Sequence, residues 1–258
     1  MDVICVLPAR ISSTRISRKL LAGIAGRTLI EWAWRAANRV AAFDRIVVAT
    51  DSVEIESCAR GFDAEVVMTR GDHESGTDRV EEAAEALGAG EGDIVVNFQA
   101  DEPFADGPTV SAAVRALAEG DGRAHISTVA APIMSVEEWR SPGVVKVARA
   151  ADSALYFSRS PIPHSRGGAP AFESMGDGPE AVRPFLRHVG VYVCRRPALK
   201  RWASLPESRL EAVEKLEQLR ALEDGMRIHV EVGPPTEPGI DEPADVERAE
   251  RVLYDANW

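Results

Sequence analysis

The chain lacks any surplus of positive charge: 30 Lys and Arg stand against 41 Asp and Glu, a net charge of −11, with an isoelectric point near 5.0. Such a surface repels nucleic acid and anionic lipid, so neither is expected as a partner, and an anionic ligand has to be caught by local cations. Cysteine is scarce. Cys5, Cys58 and Cys194 are odd in number and far apart, with no CxxC, which implies neither a disulfide framework nor a zinc knuckle and fits a reducing, cytoplasmic setting. No apolar run approaches membrane-spanning length, and no basic segment followed by an apolar run and a cleavage site occurs near Met1. A soluble, unexported protein is therefore expected. Glycine-rich phosphate cradles are missing too: neither GxxxxGK[ST] nor GxGxxG is present, so there is no P-loop and no dinucleotide fingerprint. Internal repeats and low-complexity segments are likewise absent.

The 258 residues, 45% of them apolar, suit one large α/β domain spanning 1–258, with a sizeable insertion. Apolar runs at Val3–Leu7, Arg45–Ala49, Ala64–Met68 and Asp93–Phe98 alternate with segments of helical period at Leu29–Val40, Val53–Arg60 and Thr77–Leu87. Strands alternating with helices predict a doubly wound, mostly parallel sheet, and strands apolar throughout are those covered on both faces. The pattern loosens between 126 and 194, read as a smaller inserted β-rich subregion, with a Gly/Pro-rich loop over 167–184. Leu210, Val213, Leu216, Leu219 and Leu222 predict one amphipathic helix over 210–223, capped by Ser208 with Glu211 in a capping box. A strand over Arg227–Val232, a turn over Pro234–Gly239 and a final helix close the chain.

Positive charge gathers in one place. The strand ending Val6-Leu7-Pro8-Ala9 runs into a loop carrying Arg10, Arg15 and Lys19. A loop after a buried strand lies at the carboxyl edge of the sheet, where open α/β folds bind ligands, and Arg and Lys are the side chains that grip phosphate. These are read as the contacts of a triphosphate rather than as ordinary surface cations. Asp101, at the end of a core strand, and Asp241, in Gly-Ile-Asp-Glu-Pro, are a candidate magnesium pair, since that ion takes one or two carboxylates and completes its shell with water and phosphate. By spacing alone, turn-capping aspartates explain the two equally well.

Taken in order, Leu7-Pro8-Ala9-Arg10 with Arg15 and Lys19, Ser75-Gly76-Thr77-Asp78-Arg79, Asn97-Phe-Gln99-Ala100-Asp101-Glu102-Pro103, Tyr156-Phe-Ser-Arg159, His188-Val-Gly-Val-Tyr192, Leu210-Glu211-x-x-Glu214-x-Leu-Glu217-Gln218-Leu-Arg220 and Gly239-Ile-Asp241-Glu-Pro243 resemble the 3-deoxy-manno-octulosonate (Kdo) cytidylyltransferases, over nearly the whole chain. The resemblance implies a nucleotide-diphospho-sugar transferase type of α/β fold and a homodimer, with 126–194 on the acceptor side and in the dimer contact. It also implies magnesium-dependent transfer of CMP from CTP to an acidic acceptor, releasing pyrophosphate, a step of lipopolysaccharide biosynthesis. Arg10, Lys19, Asp101 and Asp241 are then the catalytic set, Asp101 and Asp241 holding the metal. Pro8, Ala9, Arg10, Arg15, Lys19, Ser75, Gly76, Arg79 and Gln99 would bind CTP. Arg159, His188, Tyr192, Glu211 and Glu214 would line the acceptor site. Three departures from the family pattern bear on the acceptor, Cys194 where a second tyrosine is customary, Ala212 after the motif glutamate and His164-Ser-Arg-Gly in place of a more acidic run; a fourth, Ala100 in place of glycine, stands next to the metal aspartate. They keep two alternatives open, CMP transfer to a small phosphonate such as phosphonoformate, and a catalytically silent nucleotide-binding homologue.

Overall fold

In a computed structural model, which describes residues 1–11, 16, 18–172 and 184–255, the first strand feeds two cores at once. Along β1 (Val3–Ala9) the side chains of Val3, Cys5, Leu7 and Ala9 point into one apolar cluster and those of Ile4 and Val6 into another. That division follows from the two-residue period of a strand buried on both faces. Leu7 and Val6 are fully buried, and each such side chain removed from water contributes roughly 1.5–3 kcal/mol.

The described residues form a nine-stranded sheet in the order β5-β4-β1-β6-β10-β7-β11-β9-β8, and a small hairpin of β2 (Gly23–Ile24) and β3 (Arg27–Thr28). Strands β4 (Arg45–Thr50), β5 (Glu65–Met68) and β6 (Ile94–Phe98) join β1 in parallel, as the alternation predicts. Beyond β6 the expectation of a mostly parallel sheet fails. Strand β10 (Leu186–Arg195) lies antiparallel between β6 and β7 (Ile126–Pro132), while β8 (Lys146–Ala150), β9 (Ser153–Ser158) and β11 (Ile228–Val232) complete a mixed sheet. The segment 126–194 is thus built largely into the main sheet. Most of the expected 167–184 loop lies outside the described residues.

Helices α1 (Leu29–Asn38), α2 (Val53–Arg60), α4 (Gly107–Glu119) and α9 (Pro243–Asp255) contribute to the first core, and α3 (Gly76–Ala86), α6 (Arg196–Ser204) and α8 (Gln218–Glu223) to the second. The helix expected over 210–223 is two helices, α7 (Arg209–Glu214) and α8, broken at Lys215 in the left-handed conformation, φ 54°. Leu216 and Leu219 are buried, but Leu210 and Val213 are exposed, so these residues do not share one apolar face. The break turns the chain so that Glu217 and Gln218 enter the cleft described below. Trp202 of α6, fully buried, donates its indole N–H to the Glu217 carbonyl at 3.2 Å and so ties that turn to the second core.

Candidate active site

A cavity of about 990 Å³ opens along the sheet between the end of β6, the start of α3, the α7–α8 turn, β10 and the loop before α9. Lys19, in a short 3-10 turn (Lys19–Leu21) anchored by buried Leu20, meets the cavity through two residues of its lining, Asp101 and Asp241. Its ammonium donates to Asp101 Oδ2 at 2.7 Å and to Asp241 Oδ1 at 2.8 Å. Burial pulls this lysine down, but the two carboxylates outweigh it and hold the ammonium above its ordinary pKa. Residues 222 positions apart meet because the Ile240 N–H donates to the Asp101 carbonyl at 2.9 Å. The approach is close: a Cβ on Gly239 would lie 2.9 Å from that same carbonyl. The loop carrying Asp241 is strapped from both sides. Arg187 of β10 donates to the Thr236 carbonyl at 2.8 Å, and Arg248 of α9 to the carbonyls of Pro238 and Gly239 at 2.9 and 3.0 Å.

Arg10 is exposed and borders the same cavity; Arg15 lies outside the described residues. Ser75 caps α3 in a reciprocal box with Asp78, which brings Ser75 and Gly76 to the cavity wall. Gly76 packs so tightly that a Cβ there would stand 3.0 Å from Gln99 Nε2 and 3.6 Å from Pro8 Cγ. The Gln99 amide donates to Asn97 Oδ1 at 3.0 Å, and Asn97 donates to the Thr77 hydroxyl at 3.3 Å, fixing the amide's orientation. Three expected nucleotide contacts, Pro8, Ala9 and Arg79, are absent from the cavity lining, Pro8 packing against Gly76. Ala9 is fully buried in the first core, leaving only its backbone to meet a ligand, and Arg79 is buried off the cavity, bonded to the Thr69 hydroxyl and 3.4 Å from Asp51.

Toward the other end, His188 and Tyr192 border the cavity from β10 and pack on each other, ring centroids 5.2 Å apart, with Phe157 and Trp202 behind them. Burial, reinforced by Arg187, pushes His188 down to about 3, so its ring is neutral at ordinary pH. Arg159 also lines the cavity; its Nε donates to the Glu214 carbonyl at 2.9 Å and one Nη to Pro142 at 3.0 Å. Lys146 organises this end from beneath, its ammonium donating to the carbonyls of Ser141, Val144 and Arg159 at 2.7, 2.6 and 2.5 Å. Burial and the Arg159 charge draw it down to about 8.

The two expected acceptor glutamates are committed to protein partners. Glu211 borders the cavity, yet both its oxygens accept from buried Arg220, at 2.7 and 2.6 Å. Glu214 lies off the cavity and accepts from the Ser158 hydroxyl at 2.5 Å and the Arg159 N–H at 2.9 Å. Glu217 and Gln218, three and four residues further on, also line the cavity, together with Glu207, Lys215 and Arg220. Burial raises the Glu217 carboxyl above its ordinary pKa against hydrogen bonds from Thr77 and Ser75, and the Gln218 amide nitrogen is buried without a partner among the described residues. Both belong to the motif that carries the resemblance, which by itself pointed to Glu211 and Glu214. Glu102 was also overlooked: it borders the cavity, accepts from the Gly190 N–H at 2.9 Å, and is raised to about 7 by burial.

All four departures from the family pattern lie off the cavity lining. Cys194 and Ala100 are buried in the two cores, while Ala212 and His164 are exposed. None of them removes a polar group from the cavity, which takes away the sequence argument for an altered acceptor.

Comparison with known proteins gives the family. A cytidylyltransferase family model matches residues 4–228. The chain is 42% identical over 254 residues to a 3-deoxy-manno-octulosonate cytidylyltransferase of Syntrophotalea carbinolica, covering 98% of this chain and 99% of that one. It is 41% identical to the enzyme of the same name from Syntrophobacter fumaroxidans, over 98% of this chain and 97% of the other. A solved CMP:2-keto-3-deoxy-manno-octonic acid synthetase complexed with CTP superposes with a TM-score of 0.84 at 35% identity, over 98% of each chain. The chain belongs to the 3-deoxy-manno-octulosonate cytidylyltransferase family.

Proposed function

We propose that the protein transfers CMP from CTP to Kdo, releasing pyrophosphate. The observation that carries this reading is the convergence of Lys19, Asp101 and Asp241 at one end of a cavity whose other end presents His188, Tyr192 and Arg159. Arg10 and Lys19 would hold the phosphate tail, and Ser75, Gly76 and Gln99 the nucleoside. The acceptor hydroxyl attacks the α-phosphorus, the bond to the β-phosphate oxygen breaks, and pyrophosphate departs. Positioning and charge neutralisation supply most of the catalysis in such a transfer, so no covalent enzyme nucleophile is needed.

The donor set suits magnesium. Asp101 and Asp241, drawn together on the Lys19 ammonium, offer the carboxylate oxygens that ion prefers, and the cavity lining carries more carboxylates than cations, so a polyanionic nucleotide would need a metal alongside it. Among the described residues no group of three or more such side chains converges, which leaves the other positions to water and phosphate. When bound there, magnesium would polarise the α-phosphate and acidify the attacking hydroxyl. A homodimer is proposed as well, supported by apolar side chains left exposed at Leu155, Leu210 and Val213. No described helix is long and apolar enough to cross a membrane, which is compatible with a cytoplasmic enzyme.

Pyrophosphate release with CTP, magnesium and either Kdo or phosphonoformate tests the reading. Turnover with Kdo is expected. Turnover with the phosphonate alone would move the acceptor to the second class, and silence with both despite CTP binding would mark a non-catalytic homologue. Lys19→Ala and Asp101→Asn should each lower kcat by about 10²–10³ with unchanged circular dichroism, as loss of a charge-stabilising group does. Near-normal turnover removes that residue from the catalytic set.

A further inference from the structure

Strand β10 carries an irregularity beside the acceptor end of the cavity. Its pairing with β7 runs Val189 with Val129 and then Tyr192 with Thr128, so β10 takes three steps where β7 takes one. Gly190 and Val191 bulge out of the ladder, and the backbone groups they free find other partners. The Gly190 carbonyl accepts from the Gln99 N–H, its N–H donates to Glu102, and the Val191 carbonyl accepts from the Thr128 hydroxyl at 2.7 Å.

That last bond determines the proton on a neighbouring ring. A threonine hydroxyl has one proton, and a carbonyl can only accept, so the Thr128 proton is committed to Val191. The same oxygen lies 2.9 Å from His188 Nε2. With its proton spent, Thr128 can only accept there, and Nε2 must be the donor. A neutral imidazole then carries its lone pair on Nδ1. Among the described residues no hydrogen bond reaches Nδ1, while the ring borders the cavity. Phe157 edge-on at 5.1 Å and Tyr192 at 5.2 Å hold the ring against flipping.

We propose that Thr128 is a positioning residue that fixes His188 as the Nε2–H tautomer, so that the ring presents a lone pair at Nδ1 and selects an acceptor offering a hydroxyl donor at that point. This rests on the reading that His188 faces the acceptor, and it deepens that reading toward a class: a polyhydroxylated acid satisfies the lone pair, whereas a small phosphonate in its fully ionised form has no hydroxyl donor to offer. Thr128 and Ser127 are buried neighbours on β7, but only Thr128 is bonded to the ring. The neutral state is consistent with the depressed His188 pKa, which burial and Arg187 produce.

Nitrogen-15 spectra of histidine-labelled protein, with His188 assigned by its loss in His188→Gln, test the tautomer without any acceptor. The expected result is a pyrrole-type Nε2 and a pyridine-type Nδ1. The reverse assignment, or rapid averaging of the two, overturns the proposal whatever the protein's activity. Steady-state kinetics with CTP, magnesium and Kdo test the consequence. Thr128→Val should raise the KM for Kdo about tenfold while the KM for CTP stays within about twofold, and Thr128→Ser should restore both the spectrum and the KM, as expected for one lost neutral hydrogen bond. An unchanged KM for Kdo in Thr128→Val, or equal loss in Thr128→Ser, overturns the selective role. Should Thr128→Val not fold, the wild-type spectrum and the serine variant still decide the matter.

Discussion

Replacing Glu211 by alanine separates an acceptor ligand from a structural ion pair. The Glu211 and Arg220 side chains are 8% and 9% exposed, and two short N–H···O bonds join them. One Glu211 oxygen also accepts from the Ser208 N–H at 3.2 Å, closing the capping box of α7. Without the carboxylate, Arg220 keeps only the Leu205 carbonyl, at 3.1 Å, as a hydrogen-bond partner among the described residues. Breaking a buried pair from one side costs about 3–5 kcal/mol, because the remaining charge is stranded away from water. With an unfolding entropy of roughly 2.1 cal/mol/K per residue, the 258-residue chain would lose about 5–9 °C in Tm. Glu211→Leu combined with Arg220→Met should recover most of that, since no buried charge remains. Thermal unfolding of both variants, with the KM for Kdo of the single variant alongside, is the assay. Gln218→Ala, by contrast, should raise the KM for Kdo about tenfold with little change in Tm, as a lost substrate hydrogen bond does. A Glu211→Ala protein with unchanged Tm and a KM raised more than that of Gln218→Ala would refute the structural assignment and return Glu211 to the acceptor site.

Two further outcomes follow from the same geometry. Gly239→Ala drives a methyl against the Asp101 carbonyl, 2.9 Å away, and the Glu102 carboxylate, 3.2 Å away; kcat should fall about tenfold or more through misplacement of the catalytic groups, and wild-type turnover would show that the loops yield freely. Folded His188 stays neutral down to about pH 3, whereas an unfolded histidine takes up its proton near pH 6.5, so this residue's contribution to stability is lost as pH falls between those values. Relative to His188→Gln, the wild type should lose about 2 kcal/mol between pH 6 and 4.5, measurable by urea unfolding; a pH-independent difference would contradict a neutral buried ring.

Much of this protein was legible in its order of residues. A strand buried on both faces reveals itself by being apolar throughout, and a turn by its Gly and Pro, because those are local requirements of the backbone. The parallel half of the sheet, the loop cations and the aspartates at Asp101 and Asp241 could therefore be read directly or by resemblance. Three things depended on contacts that no local pattern encodes. The insertion of β10 antiparallel into the middle of the sheet depends on its pairing with β6 on one side and β7 on the other, partners far from it in sequence. Which glutamates of the motif reach the cavity depends on a left-handed residue at Lys215, which adds Glu217 to the lining beside a Glu211 already paired with Arg220 and leaves Glu214 off it. The meeting of Lys19 with Asp101 and Asp241 was expected from sequence only through the resemblance, which groups them in one catalytic set. Folding makes it a direct contact, because a single backbone hydrogen bond from Ile240 to Asp101 closes two distant loops around one ammonium.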